Sequence, residues 1–161
     1  RHNSSRSKEN IKIMSTKTFR GQLADTQIKK IRLGTIQGLI GYKIVKFQLI
    51  EATPGVGSTE SVVQVYTVDP GTASASINFD DPQILAVGFW NTNASTAQFT
   101  ETVIFDSVKF NQDIFIAHKD VTGSAETINF YLELEQVKLS LDEATVATLK
   151  DMRGNYTNQD P

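Results

Sequence analysis

His118 is the only histidine beyond the first few residues, so acid–base chemistry in this chain would have to start there. It stands between Ala117 and Lys119 with Asp120 two positions on. A general base needs a partner that orients the ring and a pocket that holds a substrate. The surrounding residues announce neither, and His118 reads as a surface or strand-edge histidine. Glu133 and Glu135 form a second candidate, because two residues on one strand face lie roughly 7 Å apart, within the range spanned by the carboxylates of a glycosidase. Alternating glutamates on a wet strand face serve solubility far more often, and no aromatic sugar platform accompanies them. Asp80-Asp81 with Asp69 could offer loop carboxylates to calcium, but the EF-hand spacing and its closing glutamate are missing, and turn initiation accounts for all three. Gly34, Gly38 and Gly41 evoke a phosphate-binding loop without its Gly-Lys-Ser/Thr ending, and read as turn residues. Asn3-Ser4-Ser5, Asn93-Ala94-Ser95 and Asn155-Tyr156-Thr157 match the glycosylation sequon and, with no secretion signal, read as chance matches. No catalytic, cofactor-binding or metal-ligating residue is assigned.

Composition points the same way. The 161 residues contain no cysteine, which excludes a disulfide framework, a thiolate zinc site and a cysteine nucleophile together. A formal charge of −2 gives no electrostatic footprint for direct nucleic-acid binding. Apolar runs fall well short of the roughly 20 residues that cross a bilayer. Charge is unevenly placed: Arg1, Arg6, Lys8 and Lys12 against Glu9 give residues 1–13 a net +3, leaving −5 for the remainder. Residues 1–14 therefore read as a polar arm. Met14-Ser15-Thr16 also has the form of a normal translation start, and Lys8-Glu9 can be encoded as a ribosome-binding sequence, so an over-extended start is the competing reading.

The elements that would position any site are mostly strands. In Tyr42–Glu51 the residues Val45, Phe47 and Leu49 alternate with Lys46 and Gln48, as in a half-buried strand. A Pro-Gly turn follows, then the β-branched run from Ser61 to Val68, and the two read as a hairpin. Asp69-Pro70-Gly71 and the small residues 72–76 form a loop. Ile84–Trp90 reads as a buried strand, 91–97 as a polar loop, and residues 103–110 as a strand bent at Asp106-Ser107. Asp113–Lys119 is a further strand. Alternation is complete in Ile128–Glu135, with Ile128, Phe130, Leu132 and Leu134 facing one way. Ser140-Leu141-Asp142-Glu143 fits a capping box, with Asp142 as a competing cap. It opens a helix whose face would be Leu141, Thr145, Thr148 or Leu149, and Met152, with Gly154 as terminator. Phe47, Phe115 and Phe130 read as core rather than as a base-stacking platform. About seven strands with such spacing predict an all-β antiparallel sandwich or jelly-roll-like domain over residues 15–154, with one short C-terminal helix and a polar tail over 155–161.

Several phrases carry a likeness: 110–118 (Phe-Asn-Gln-Asp-Ile-Phe-Ile-Ala-His), 129–139, Ala144–Lys150, and nearer the start Phe19–Asp25 and Gly41–Phe47. With them most of residues 15–153 resembles small virion structural proteins of marine tailed bacteriophages, the cyanophage-like ones. The resemblance lies in phrases rather than in a motif, and no functional residue transfers with it. It implies a non-enzymatic structural protein located in the virion and assembled in the bacterial host cytoplasm. The expected role is a capsid decoration or other head-associated subunit, with a tail or baseplate component as the alternative. Implied partners are other virion proteins such as capsid subunits, in a homo-oligomer or lattice, without cofactor, membrane or direct nucleic acid. A third reading is a carbohydrate-binding β-sandwich module in which Trp90 and Asn91-Thr92-Asn93 contact sugar. It requires Trp90 at the surface.

Overall fold

The computed structural model describes residues 15–34, 39–55, 57–93, 96–105 and 107–157. Eight strands and one helix follow one another among them: β1 (Thr16–Leu23), β2 (Ile28–Ile31), β3 (Ile40–Glu51), β4 (Thr59–Tyr66), β5 (Ile84–Asn93), β6 (Thr96–Ile104), β7 (Ile114–Asp120), β8 (Ile128–Lys138) and α1 (Leu141–Thr157). The most strictly alternating segment, β8, becomes the middle of a three-stranded antiparallel sheet in the order β1-β8-β3. The other sheet has the order β2-β7-β4-β5-β6, and every pairing in both is antiparallel. The two sheets pack as a sandwich with a single C-terminal helix, the expected fold class.

Ile128, Phe130, Leu132 and Leu134 all face inward, against Phe47 and Leu49 of β3 and against Val63, Val65, Ile114 and Ile116 of the larger sheet. Each such side chain contributes roughly 1.5–3 kcal/mol by leaving water. Close approach of β3 to β5 depends on Gly88. A Cβ there would overlap Leu49 Cδ1 and come within 3.0 Å of the Phe47 ring.

Several expectations are corrected. Val45 does not share a face with Phe47 and Leu49. A register shift between Ile44 and Lys46 inserts one residue, so Ile44 is buried and Val45 is 40% exposed. The strands on either side of residues 53–58 do not form a hairpin. β3 pairs with β8, whereas β4 lies between β5 and β7 in the other sheet. The reason is burial: β4 is buried on both faces almost throughout, so it requires a central position that a partner of the half-wet β3 would not have. Residues 91–93 and 96–97 are strand rather than loop, since β5 continues to Asn93 and β6 starts at Thr96. Beyond β6 the bent strand is lost: Phe110 makes only an isolated bridge to Tyr42. Thr16–Leu23 and Ile28–Ile31 are edge strands that no clear alternation marked.

The loop 67–83 lies on the outer face of the larger sheet. Gln64 Nε2 donates to the carbonyls of Ser74 (3.0 Å) and Ser76 (2.9 Å), and Ala73 is buried with Tyr66, Ile84, Val87 and Ala117 in a second small core. Phe47 and Phe130 are core as expected. Phe115 instead lies half-buried on that outer face, with Lys30 Nζ 5.8 Å from its ring centre.

Ser140 caps α1 reciprocally: its hydroxyl accepts from Glu143 N (3.2 Å) and Glu143 Oε1 accepts from Ser140 N (3.4 Å). The helix passes through Gly154 to Thr157, overrunning the expected terminator and the start of the expected tail. Its apolar contact with the sandwich is made by the small Ala144 against Val137 and Leu139; of the expected stripe Thr148 reaches the sandwich, through Asn111, whereas Leu141 and Leu149 point outward. Residues 1–14, Gly38, Ala94 and Ser95, the bend residue Asp106, and the Met152 and Asn155 side chains lie outside what the structure describes.

Candidate interaction surface

His118 is fully buried, not at a surface or an edge. β7 brings it opposite Val63 of β4, and its ring reaches the corner between β1 and β2. Nδ1 lies 3.1 Å from both the Leu23 and Ala24 carbonyls, which can only accept, so this nitrogen carries the hydrogen and shares it between them. Nε2 then accepts from the Ser61 hydroxyl at 3.0 Å. The backbone closes the same corner: Thr26 N donates to His118 O (2.9 Å) and His118 N to Gln27 O (3.1 Å). Burial pushes the imidazole pKa down, and the Ala24 and Leu23 carbonyls with the charges of Asp25 and Asp120 oppose it only in part. The ring is held neutral. Ser61 and His118 thus have the hydroxyl–imidazole geometry of an activated nucleophile, but both are sealed in the core, where no carbonyl substrate reaches the oxygen. Their work is to tie β7, β4 and the β1–β2 corner together.

Around this corner the acidic groups are also committed. Asp25 Oδ1 accepts from Asp120 N (2.8 Å) and lies 3.8 Å from Lys119 Nζ. Asp120 organises the turn that follows it, accepting from Thr122 N, Thr122 Oγ1, Ser124 Oγ and Glu126 N. Burial alone would raise its pKa, but these four donors outweigh burial and lower it.

Glu133 and Glu135 lie on the outer face of the smaller sheet, opposite Lys46 and Lys43 of β3. Glu135 pairs with Lys43 at 3.7 Å, and Glu133 accepts from the Tyr131 hydroxyl at 3.3 Å. They form a cross-strand charge ladder on an open face rather than a pair closing on a cleft. Asp69 and Asp81 accept from Gly71 N and Gln83 N in local turns, and Asp80 N donates to Asn78. Among the described residues no three His, Asp or Glu side chains gather as metal ligands. Trp90 is buried in the core with Nε1 donating to Glu51 Oε2 at 3.4 Å, so its ring is not available to a sugar.

Large apolar side chains are exposed at several places, Ile50, Phe79 and Phe99 among them, and the most exposed among the described residues, Leu141, is on α1. Its narrow contact leaves Leu141 73% and Leu149 47% exposed, and with Leu39, 41% exposed, they line a shallow apolar groove beside Ala144. Val146 extends the exposed apolar surface on the adjoining side of the helix. Polar contacts hold the helix at this angle. Lys109 Nζ meets Glu143 Oε2 at 2.7 Å, which lowers the Glu143 pKa, and Asn111 Nδ2 donates to Thr148 Oγ1 at 3.2 Å.

The sequence matches no protein-family model and no curated protein. Sequence reasoning missed Ser61, Asp25 and Glu51 as partners because each is joined to residues far away in the chain. His118 and Ser61 are 57 positions apart, and only strand pairing brings them together.

Proposed function

We propose that this protein is a non-enzymatic structural subunit of a tailed-phage virion, a capsid-decoration or other head-associated protein that docks on neighbouring virion proteins. The observation that carries the reading is the outward set of large apolar side chains on and beside α1: Leu39, Leu141, Val146 and Leu149. A helix that attaches through an alanine and two polar contacts, and turns its leucines outward, keeps apolar area for a protein partner. The phage-like phrases in residues 15–153 supply the kind of assembly. The reading makes no demand on His118, Glu133 or Glu135, whose polar atoms already hold other elements in place. A sugar-binding module built on Trp90 is set aside, because that ring is in the core.

Electron microscopy of purified particles carrying a gold-labelled copy tests the proposal. Label on the head is the expected result. Label on the tail or baseplate would move the protein to that structure, and particles without label would sink the virion reading. A Leu141→Glu/Leu149→Glu double variant should keep its melting temperature, since both side chains are exposed, and should fail to join particles. Incorporation equal to the unaltered protein would remove α1 from the docking surface.

A further inference from the structure

We infer that copies of this chain associate head-to-tail, the cationic flank formed by β1 and β2 of one copy docking on the aromatic and acidic outer face of β6 and the 67–83 loop of the next. Charge is sorted by place in the fold. Residues 16–33, which hold both β1 and β2, carry Lys17, Arg20, Lys29, Lys30 and Arg32 against Asp25 alone. Between Lys46 and Lys109 stand seven Asp and Glu and no Lys, Arg or His. That stretch supplies β4, β5, β6 and the 67–83 loop. β2 and β6 are the opposite edges of the larger sheet, with β7, β4 and β5 between them at spacings of about 4.8 Å. Lys29 joins the β2 edge to β1, its Nζ lying 3.5 Å from Gln22 O, so the cations of both strands belong to one flank.

Each surface offers what the other lacks. Phe99, Glu101 and Val103 share the outer face of β6, opposite Asn91, Phe89 and Val87 of β5. Phe105, next on that side, meets Phe79 of the 67–83 loop edge-on, with 5.2 Å between ring centres. Phe79 and Phe99 are both more than half exposed, and Asp80 and Glu101 are exposed beside them. In register with Glu101 across the sheet, the first cation is Lys119, three strands away and paired with Asp25. On the β1–β2 flank, Lys30 is paired with Asp113 at 3.5 Å. Lys17, Arg20 and Arg32 are exposed and form no ion pair among the described residues. A guanidinium can pair with a carboxylate and stack on an aromatic ring, and arginine and aromatic residues are the types enriched where proteins meet.

The partner is a second copy, because the complementary charges lie within one chain and a copy answers both surfaces together. A nucleic acid would meet the cations and leave Phe79, Phe99 and Glu101 uncovered. Two-fold pairing would set flank against flank, or acidic face against acidic face, and bring like charges together. The contact is therefore heterologous, each copy presenting its flank to one neighbour and its β6 face to another, and such a contact repeats. A net charge of −2 conceals the arrangement, because it sums over both surfaces. This inference does not rest on the virion reading, and it leaves α1 out of the contact.

Sedimentation velocity of the whole protein, from micromolar to near-millimolar concentration, tests this. The sedimentation coefficient should climb with concentration in about 0.02 M salt, and association should weaken at least ~10-fold in about 0.5 M, where exposed charges are screened. Asp80→Lys/Glu101→Lys and Arg20→Glu/Arg32→Glu alter exposed positions only, so both double variants should keep the melting temperature, and each alone should stay monomeric. Their equimolar mixture should form dimers, because the intact flank of one meets the intact face of the other. If a double variant melts early, Glu101→Lys and Arg20→Glu replace the pairs. A protein that is monomeric under all conditions, association unchanged by either reversal, or a mixture that stays monomeric would overturn the inference. A short DNA duplex bound by a protein that does not self-associate, and lost in Arg20→Glu/Arg32→Glu, would assign the flank to nucleic acid instead. Leu141→Glu/Leu149→Glu should associate as fully as the unaltered protein, and its failure to do so would move the contact to α1.

Discussion

His118 is neutral because its surroundings leave it no better state, and this makes the protein's stability depend on pH. Its folded pKa lies below the ordinary imidazole value of 6.5, so between the two values the unfolded chain binds more protons than the folded one. Stability is then complete above 6.5 and declines as pH falls below it, the reverse of what a salt-bridged histidine would do. Asp120 has its folded pKa lowered from 3.8, so its contribution is lost only at more acid pH. Chemical denaturation between pH 8 and about 5 isolates the histidine. Unfolding free energy should fall across that range in the unaltered protein and vary less in His118→Gln. An equal slope in both proteins would show that the imidazole does not carry the effect. Little of this was legible beforehand. A lone histidine beside a lysine at a strand end looks wet, and only the β1–β2 corner, more than 90 residues distant, seals it.

Strands are more legible than their neighbours. Ile128, Phe130, Leu132 and Leu134 announced both the element and its buried face, and the capping box of Ser140 and Glu143 announced the start of α1. Alternation cannot report a bulge, however, because one inserted residue changes the face without changing the composition. Ile44 and Val45 separate the two descriptions. Ile44→Asp should cost more than about 4 kcal/mol by placing an unpaired charge in the core, whereas Val45→Asp should stay within about 0.5 kcal/mol. Thermal unfolding of the two variants checks this, and a reversed order would put the register out by one. Pairing was less legible still. The turn at 53–58 suits a hairpin as well as a crossing, and the choice is made by how deeply β4 must be buried. The helix face failed for a related reason: Leu141 and Leu149 have the spacing of a core stripe, but α1 leaves them facing solvent.

At the scale of the molecule, the chain passes between the two sheets several times, and Glu51 secures the crossing from β3 to β4. Its carboxylate, buried at the end of β3, accepts from Thr59 Oγ1 at 2.5 Å at the start of β4 and from Trp90 Nε1 on β5. One side chain thus serves three strands in both sheets. Glu51→Ala leaves two buried donors without their acceptor, a loss of roughly 1–3 kcal/mol for each such group. Urea unfolding followed by tryptophan fluorescence and by far-UV circular dichroism should show a lower midpoint with the two signals still coincident, because the sheets share one core. Separated transitions would mean that the sheets unfold independently. The candidate surface belongs to this scale as well. The capping box marks where α1 begins but not which of its faces stays open; that emerges only when the strand order decides which apolar groups are left over.

The segment 67–83 gives the larger sheet a lid made from its own chain, pinned at its middle by Gln64. A protease cut among Thr72, Ala73 and Ser74 would leave every strand pairing intact yet release the pin. Tyr66, Ile84 and Val87 would then meet water on a still-folded molecule, and the nicked form would adhere to surfaces that the whole protein ignores.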